Sequence, residues 1–148
     1  MKSRILLAGL AGGIAEVLWV LAYSALTPLS TSEVAREVAA SVVPQLAASA
    51  AAPALGLAIH LALSIALAYA FVGAAARLCP GTRSGAQTVA IAVFALAGVW
   101  ALNFLVLLPL FSPRFATLLP YAATLVSKLL FGAAMGSVLA ASSPRAAA

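Results

Sequence analysis

Residues 88–111 read TVAIAVFALAGVWALNFLVLLPLF and contain no charged side chain. A helix crosses the hydrocarbon core of a bilayer with about 20 mainly apolar residues, so this stretch predicts a membrane-spanning helix. Three other stretches have the same character. The four predicted spans cover residues 5–26, 54–76, 88–111 and 121–141.

The composition of the whole chain points the same way. Of its 148 residues, 65% are hydrophobic and 7% are charged, whereas a soluble domain carries about 25% charged residues. Such a chain has too few charges to cover a water-facing surface. We predict an all-α polytopic membrane protein, a four-transmembrane-helix bundle in a single membrane domain over residues 1–148. The first span is expected to stay uncleaved, because it is long enough to cross the membrane and carries Glu16 in its middle.

The positions of lysine and arginine predict the orientation, since cytoplasmic connections carry an excess of these residues. With both termini in the cytoplasm, the basic residues on that side are Lys2, Arg4, Arg77, Arg83 and Arg145, against Arg36 and Arg114 outside. We expect a location in a bacterial inner membrane. The net charge of +5 is spread singly over helix ends, so a nucleic-acid partner is not expected.

The first outer connection carries a further predicted helix, at about residues 31–43. Ser30 and Glu33 have the spacing of a capping box. Val34, Val38 and Val42 then recur every four residues as one apolar stripe, and Pro44 ends or kinks the helix. Two interpretations stay open: an amphipathic helix on the outer membrane surface, or a helix docked on the mouth of the bundle.

The two halves of the chain resemble each other. Residues 19–29 read WVLAYSALTPL and residues 100–110 read WALNFLVLLPL, with Trp, Leu, Leu, Pro and Leu at matching places. The repeated unit is a pair of helices, so both copies would insert in the same sense. We therefore predict two similar helical hairpins, related as parallel repeats about an axis along the membrane normal.

Four polar residues interrupt the predicted spans: Glu16, His60, Asn103 and Lys128. Their distances from the outer helix ends are similar, so we expect one intramembrane polar layer in the outer half. One hypothesis is a proton or ligand site, because ionisable groups are costly inside a membrane and histidine titrates near neutrality. The other is a structural Glu16–Lys128 ion pair, with His60 and Asn103 as interhelical hydrogen-bonding groups.

Small residues share helix faces with these polar groups. Glycines allow helices to approach closely where lipid provides no hydrophobic drive, so we expect them at helix contacts. The predicted packing residues are Gly12, Gly56, Gly132 and Gly136. The last two form a G-x-x-x-G motif, which indicates either helix packing within the chain or self-association.

The residues that build cofactor sites are scarce. His60 is the only histidine and Cys79 the only cysteine. A bis-histidine haem site needs a second histidine, so neither a cofactor nor a metal is expected. No nucleophile–base pair or phosphate-binding loop is evident, so we do not expect an enzyme.

The second half resembles a loose group of uncharacterised small bacterial and archaeal four-helix membrane proteins. The residues that carry the resemblance are those from Trp100 to Pro109, Pro113, and the run from Lys128 to Gly136. The resemblance implies a four-helix membrane fold. Lys128 stands where that group usually has a histidine, and the group has no established activity, so the resemblance implies no metal, haem or reaction.

These observations favour a non-catalytic function. We expect an accessory or stabilising subunit of a larger membrane complex (respiratory, photosynthetic or transport), in contact with the lipid bilayer and with other membrane subunits or with itself. The alternative is a small transporter or channel element that uses the Glu/His/Lys polar layer. A membrane enzyme would have to use His60.

Overall fold

The computed structural model describes residues 2–81 and 83–141, and 86% of these residues are helical, with no strands. Arg145 lies outside the described residues. The helices are α1 (Lys2–Ala25), α2 (Thr31–Val42), α3 (Ala52–Leu78), α4 (Gly85–Leu102), α5 (Leu108–Phe111), α6 (Pro113–Leu118) and α7 (Tyr121–Ala140). A π-helical turn at Asn103–Leu107 joins α4 to α5, and a 3-10 turn at Pro44–Leu46 follows α2.

Four helices are long and apolar enough to cross a membrane, as the sequence predicts. They are Lys2–Ala25, Ala52–Leu78, Gly85–Phe111 and Tyr121–Ala140. The structure begins the first three of them two or three residues earlier than the predicted bounds. The chain therefore has the architecture of a multi-pass membrane protein.

The long helices pack mainly through α1 and α7. Helix α7 lies against both α1 and α4, and α1 also lies against α3. These contacts are antiparallel. In the α1–α3 pair, Gly9 lies against Ile65, and in the α4–α7 pair, Gly132 lies against Val93. Helices α3 and α4 stand at the two ends of this series, and a cavity opens between them.

Glycines mark the closest helix contacts. A Cβ atom at Gly12 would lie 2.6 Å from the ring of Phe131, and one at Gly132 would lie 2.8 Å from the Cα of Val93. Gly136 is similarly close to Val89, and Gly56 lies against the carbonyl of Ala35 in α2. The G-x-x-x-G motif thus packs against α4 of the same chain, where larger residues would force the helices apart.

The apolar core lies in the half of the molecule away from α2. Its largest fully buried side chains are those of Phe131, Leu96 and Met135. They form one cluster with residues of α1 and α3, such as Ile5 and Ala68. All four long helices therefore meet in this half, and the cavity begins beside this cluster, at Leu67 and Phe131, and extends toward α2.

Helix α2 packs against the first turns of α3, but it does not begin with the predicted capping box. The Ser30 hydroxyl is hydrogen-bonded to that of Ser32 at 2.7 Å and makes no cap. The carboxylate of Glu33 lies 3.3 Å from Arg114 of α6. The prediction was wrong, because Ser30 bonds to Ser32 and the carboxylate of Glu33 lies against Arg114, not against the start of its own helix. Pro44 follows the end of α2 at Val42, as expected.

The π-helical turn has a local cause in the sequence. Pro109 has no N–H, and its ring crowds the carbonyl one turn earlier, which breaks regular α-helical hydrogen bonding. The helix adjusts by widening, and the N–H of Leu108 bonds to the carbonyl of Asn103, five residues earlier. This wide turn lies beside the cavity, and such turns occur frequently at functional sites.

Candidate functional site

The centre of the candidate site is the carboxylate of Glu16. One oxygen, Oε2, lies 2.8 Å from the Nζ of Lys128. The other, Oε1, accepts a hydrogen bond of 2.8 Å from the hydroxyl of Ser127. The Glu16 side chain is 6% exposed and that of Lys128 is 17% exposed. The two charges therefore neutralise each other in a largely buried place, and both carboxylate oxygens have partners.

His60 borders this ion pair. Its Nε2 lies 3.1 Å from the carbonyl of Gly13 and 3.9 Å from Oε2 of Glu16. A carbonyl only accepts hydrogen bonds, so Nε2 is the donor of this bond. Among residues 2–81 and 83–141, Nδ1 makes no hydrogen bond. The ring is thus anchored at one nitrogen, and the other has no partner within the described residues.

The helix geometry brings these groups to one level. Glu16, His60 and Lys128 each lie two turns or more inside the helix end nearest α2. At 1.5 Å of rise per residue, this depth is about 10–14 Å. Antiparallel packing of α1 against both α3 and α7 then places the three side chains side by side.

Asn103 lies apart from the other three polar residues. It begins the π-helical turn and lines the same cavity as Glu16, His60 and Lys128. In the part of the chain that the structure describes, its side-chain amide makes no hydrogen bond. The structure therefore brings three of the four predicted residues into direct contact and leaves Asn103 as an unpaired polar group on the opposite wall.

The cavity has a volume of about 970 Å³ and reaches all four of these residues. Its walls are mostly apolar side chains of α1, α3 and α7, with Val99 and Phe104 on the side of α4. Leu57 and Leu63 of α3 line it and are also exposed. The cavity consequently reaches the molecular surface along α3, between the helices that do not pack together.

Short helices cover one end of the cavity. Val34 and Val38 of the predicted apolar stripe line it from α2, and Phe115 lines it from α6. The two short helices are held together by Arg114, whose Nε lies 3.0 Å from the carboxylate of Glu37. The side chain of Glu37 is mostly buried whereas that of Arg114 is exposed, so the carboxylate from α2 is the better fixed partner of the pair.

Several contributing residues were missed by sequence reasoning. Ser127 bonds to Glu16, and its signal was its place beside Lys128, although a serine in a span is ordinary. The two tryptophans donate hydrogen bonds to α7, from Trp19 to the Ala123 carbonyl and from Trp100 to the Thr124 hydroxyl, both at 2.9 Å.

The site offers few groups to a metal ion. Among the described residues, no three His, Cys, Asp or Glu side chains are grouped so that they could hold one.

Lys128 also lies 5.5 Å from the ring centroid of Phe131, a cation–π contact that helps to hold the ammonium in place. The arrangement can bind a molecule through apolar contacts and a few hydrogen bonds.

No family model, curated protein or solved structure compared with this chain matches it.

Proposed function

We propose that this protein is a small transport element that binds a mainly apolar small molecule inside the membrane. The observation that carries the proposal is the cavity of about 970 Å³ that reaches Glu16, His60 and Lys128. Apolar cavities with a few convergent polar groups are typical of ligand sites. Ionisable residues at membrane depth, which are costly to keep there, commonly mark solute pathways.

The arrangement of charges supports binding more than purely structural bonding. A structural layer needs only the Glu16–Lys128 ion pair, with every polar group engaged. Among the residues that the structure describes, one ring nitrogen of His60 and the amide of Asn103 have no hydrogen-bond partner, and both residues line the cavity. Unpaired polar groups in a low-dielectric place favour a molecule that hydrogen-bonds to them.

The proposal includes an orientation in the bacterial inner membrane. The chain forms two similar hairpins with both termini in the cytoplasm, so that α2, α6 and the cavity lie in the outer half. The matching ring pairs Trp19–Tyr23 and Trp100–Phe104, with centroids 6.4 and 6.3 Å apart, support the repeat. In this orientation α2 is an amphipathic helix that covers the cavity from outside.

Extraction of the purified protein tests whether the cavity holds a molecule. We expect organic extracts of the wild type to contain a compound that is absent from a variant carrying Ala66→Trp and Val99→Trp, which narrow the cavity from both walls. The control carries Ala62→Trp and Val126→Trp, at two exposed helix positions that do not line the cavity. Equal extracts from all three proteins would remove the basis of the proposal.

Transfer between membranes tests the transport step. The extracted compound, placed in vesicles with purified protein, should cross the bilayer at a rate proportional to the protein. Glu16→Gln should slow the transfer by about tenfold or more, because it leaves Lys128 without its counterion beside the ligand. Binding without transfer would reduce the protein to a binding module.

The second candidate function is an accessory subunit of a larger membrane complex. Large apolar side chains are exposed on its helices, among them Leu63, Phe94 and Leu110, and the connections between the described helices are short. Partners would therefore meet it mainly inside the bilayer. Purification from native membranes in mild detergent, followed by mass spectrometry, tests this function, and recovery of the protein alone would exclude it.

A further inference from the structure

The geometry points to an elongated lipid-like ligand that has a long hydrocarbon chain and an uncharged hydroxyl or carbonyl head group. This inference rests on the proposed function and specifies the class of molecule that the cavity takes. It follows from the shape of the cavity, from the pairing of its charges and from the amide of Asn103, which has no partner among the described residues.

The shape of the cavity indicates a chain. Along α3 its lining runs from Pro53 to Ala70, a distance of about 25 Å at 1.5 Å per residue. This length is most of a hydrocarbon core of about 30 Å. An ion or a compact polar solute would leave most of the apolar lining uncovered, whereas a hydrocarbon chain laid along α3 would contact all of it.

The charges indicate an uncharged head group. Among the described residues that line the cavity, Glu16 and Lys128 carry the fixed charges, and they are 2.8 Å apart. Neither has charge left to offer, because the second oxygen of Glu16 is bonded to Ser127. A carboxylate or ammonium head group would lose its hydration without gaining a counterion, which is strongly unfavourable.

The unpaired groups match a hydroxyl or a carbonyl. The amide of Asn103 can both donate and accept a hydrogen bond. A hydroxyl head group can donate to its oxygen or accept from its nitrogen, and a carbonyl head group can accept from its nitrogen. His60 lines the cavity beside the ion pair and Asn103 lines it farther toward α6, so the chain would extend from Asn103 past His60 along the apolar walls.

The route of entry is sideways from the bilayer. Leu57 and Leu63 of α3 border the cavity and are exposed. Helices α2 and α6 cover only the end of the cavity near the start of α3. The Arg114–Glu37 ion pair connects these two short helices. An amphipathic molecule already dissolved in the membrane can therefore reach the cavity between α3 and α4 without passing through water.

Quenching of Trp19 fluorescence tests the inference directly, because Trp19 lines the cavity. The full chain carrying Trp100→Phe keeps Trp19 as its sole tryptophan. It is titrated in detergent with dibromostearyl alcohol, dibromostearic acid and dibromostearylamine, whose bromine atoms quench indole on contact. We expect the alcohol to quench at a concentration at least tenfold lower than the charged acid or amine.

Matched variants locate the probe and its head group. Val99→Phe narrows the cavity and should weaken quenching by the alcohol at least fivefold, while Val126→Phe, outside the cavity, should leave it unchanged. Asn103→Leu should weaken binding of the alcohol about fivefold and bring it close to that of the acid. If Trp100→Phe fails to fold, the wild type should give the same order with a smaller quenched fraction.

The failures of the two proposals are distinguishable. Equal quenching by all three probes, abolished by Val99→Phe, would overturn the head-group inference and leave the proposed function in place. Tighter binding of the acid or the amine would do the same. Quenching that is insensitive to Val99→Phe for every probe would show that the cavity takes no such chain, and both proposals would fall.

Discussion

Trp19 and Trp100 hydrogen-bond to consecutive residues of α7, although they lie on different helices. The indole of Trp19 donates to the carbonyl of Ala123, and that of Trp100 donates to the hydroxyl of Thr124, each at 2.9 Å. The two residues occupy matching places in the proposed repeat. Hydrogen bonds from α1 and from α4 thereby hold the first turn of α7, which directly precedes Ser127 and Lys128.

Removing either indole N–H should weaken the fold by a similar amount. Trp19→Phe and Trp100→Phe each lose one interhelical hydrogen bond, and we expect a loss of about 1 kcal/mol in unfolding free energy. Denaturation in detergent, followed by circular dichroism, gives the measurement. Tyr69→Phe, at an exposed hydroxyl that donates to Lys2 near the end of α1, is the control and should change stability less.

Breaking the buried ion pair should cost more than any single hydrogen bond. Glu16→Gln leaves the ammonium of Lys128 without a counterion, and we expect a loss of about 3 kcal/mol in unfolding free energy. Lys128→Met added to Glu16→Gln should restore part of this loss, because it removes the unpaired charge. A double variant less stable than Glu16→Gln alone would contradict this account.

The helix contact at Gly132 should tolerate no side chain. Gly132→Ala places a Cβ atom 2.8 Å from the Cα of Val93, so α4 and α7 must move apart. We expect a loss of about 1–3 kcal/mol in unfolding free energy. Gly98→Ala is the matched control in α4, where a Cβ atom meets nothing within 4 Å. It should be neutral or stabilising by up to about 1 kcal/mol, since alanine favours helix.

The cover formed by α2 and α6 should loosen without its ion pair. Arg114→Gln removes the guanidinium that bridges Glu33 and Glu37. Arg114 is mostly exposed, so we expect a loss of only about 1 kcal/mol or less in global stability. Hydrogen exchange of the α2 amides should nevertheless become faster, because opening of this cover is local. Arg77→Gln, far from α2, should leave that exchange unchanged.

Much of the fold could be predicted from the sequence, because the length of an apolar stretch is enough to identify a membrane-spanning helix. The run from Thr88 to Phe111 needed no knowledge of its neighbours, and the structure differs from the predicted bounds by a few residues. The start of α2 could not be predicted in the same way. Its capping box depended on Ser30 and Glu33, which contact Ser32 and the distant Arg114, and only the second of these contacts joins residues more than 80 positions apart.

The site was predictable only as a set of residue types. Glu16, His60 and Lys128 were singled out because ionisable side chains are costly inside a membrane. Their similar distances from the helix ends suggested that they could meet. The cavity was not predictable, because it arises where α3 and α4 fail to pack, and no local pattern records that absence of contact. The isolation of Asn103 likewise depends on how α4 packs against α7, since Trp100 meets Thr124 and Asn103 lies beyond the level of Lys128.

The order in which the chain is synthesised gives the Glu16–Lys128 pair a further consequence. These residues are separated by 112 positions, so at 5–20 residues per second the ribosome adds Lys128 roughly 6–22 s after Glu16. During that interval the carboxylate of Glu16 lacks the ammonium with which it pairs in the folded protein. The binding partners of the Glu16 carboxylate are therefore complete only when the last helix has been made. Truncated chains that lack this helix are accordingly candidates for removal by quality control.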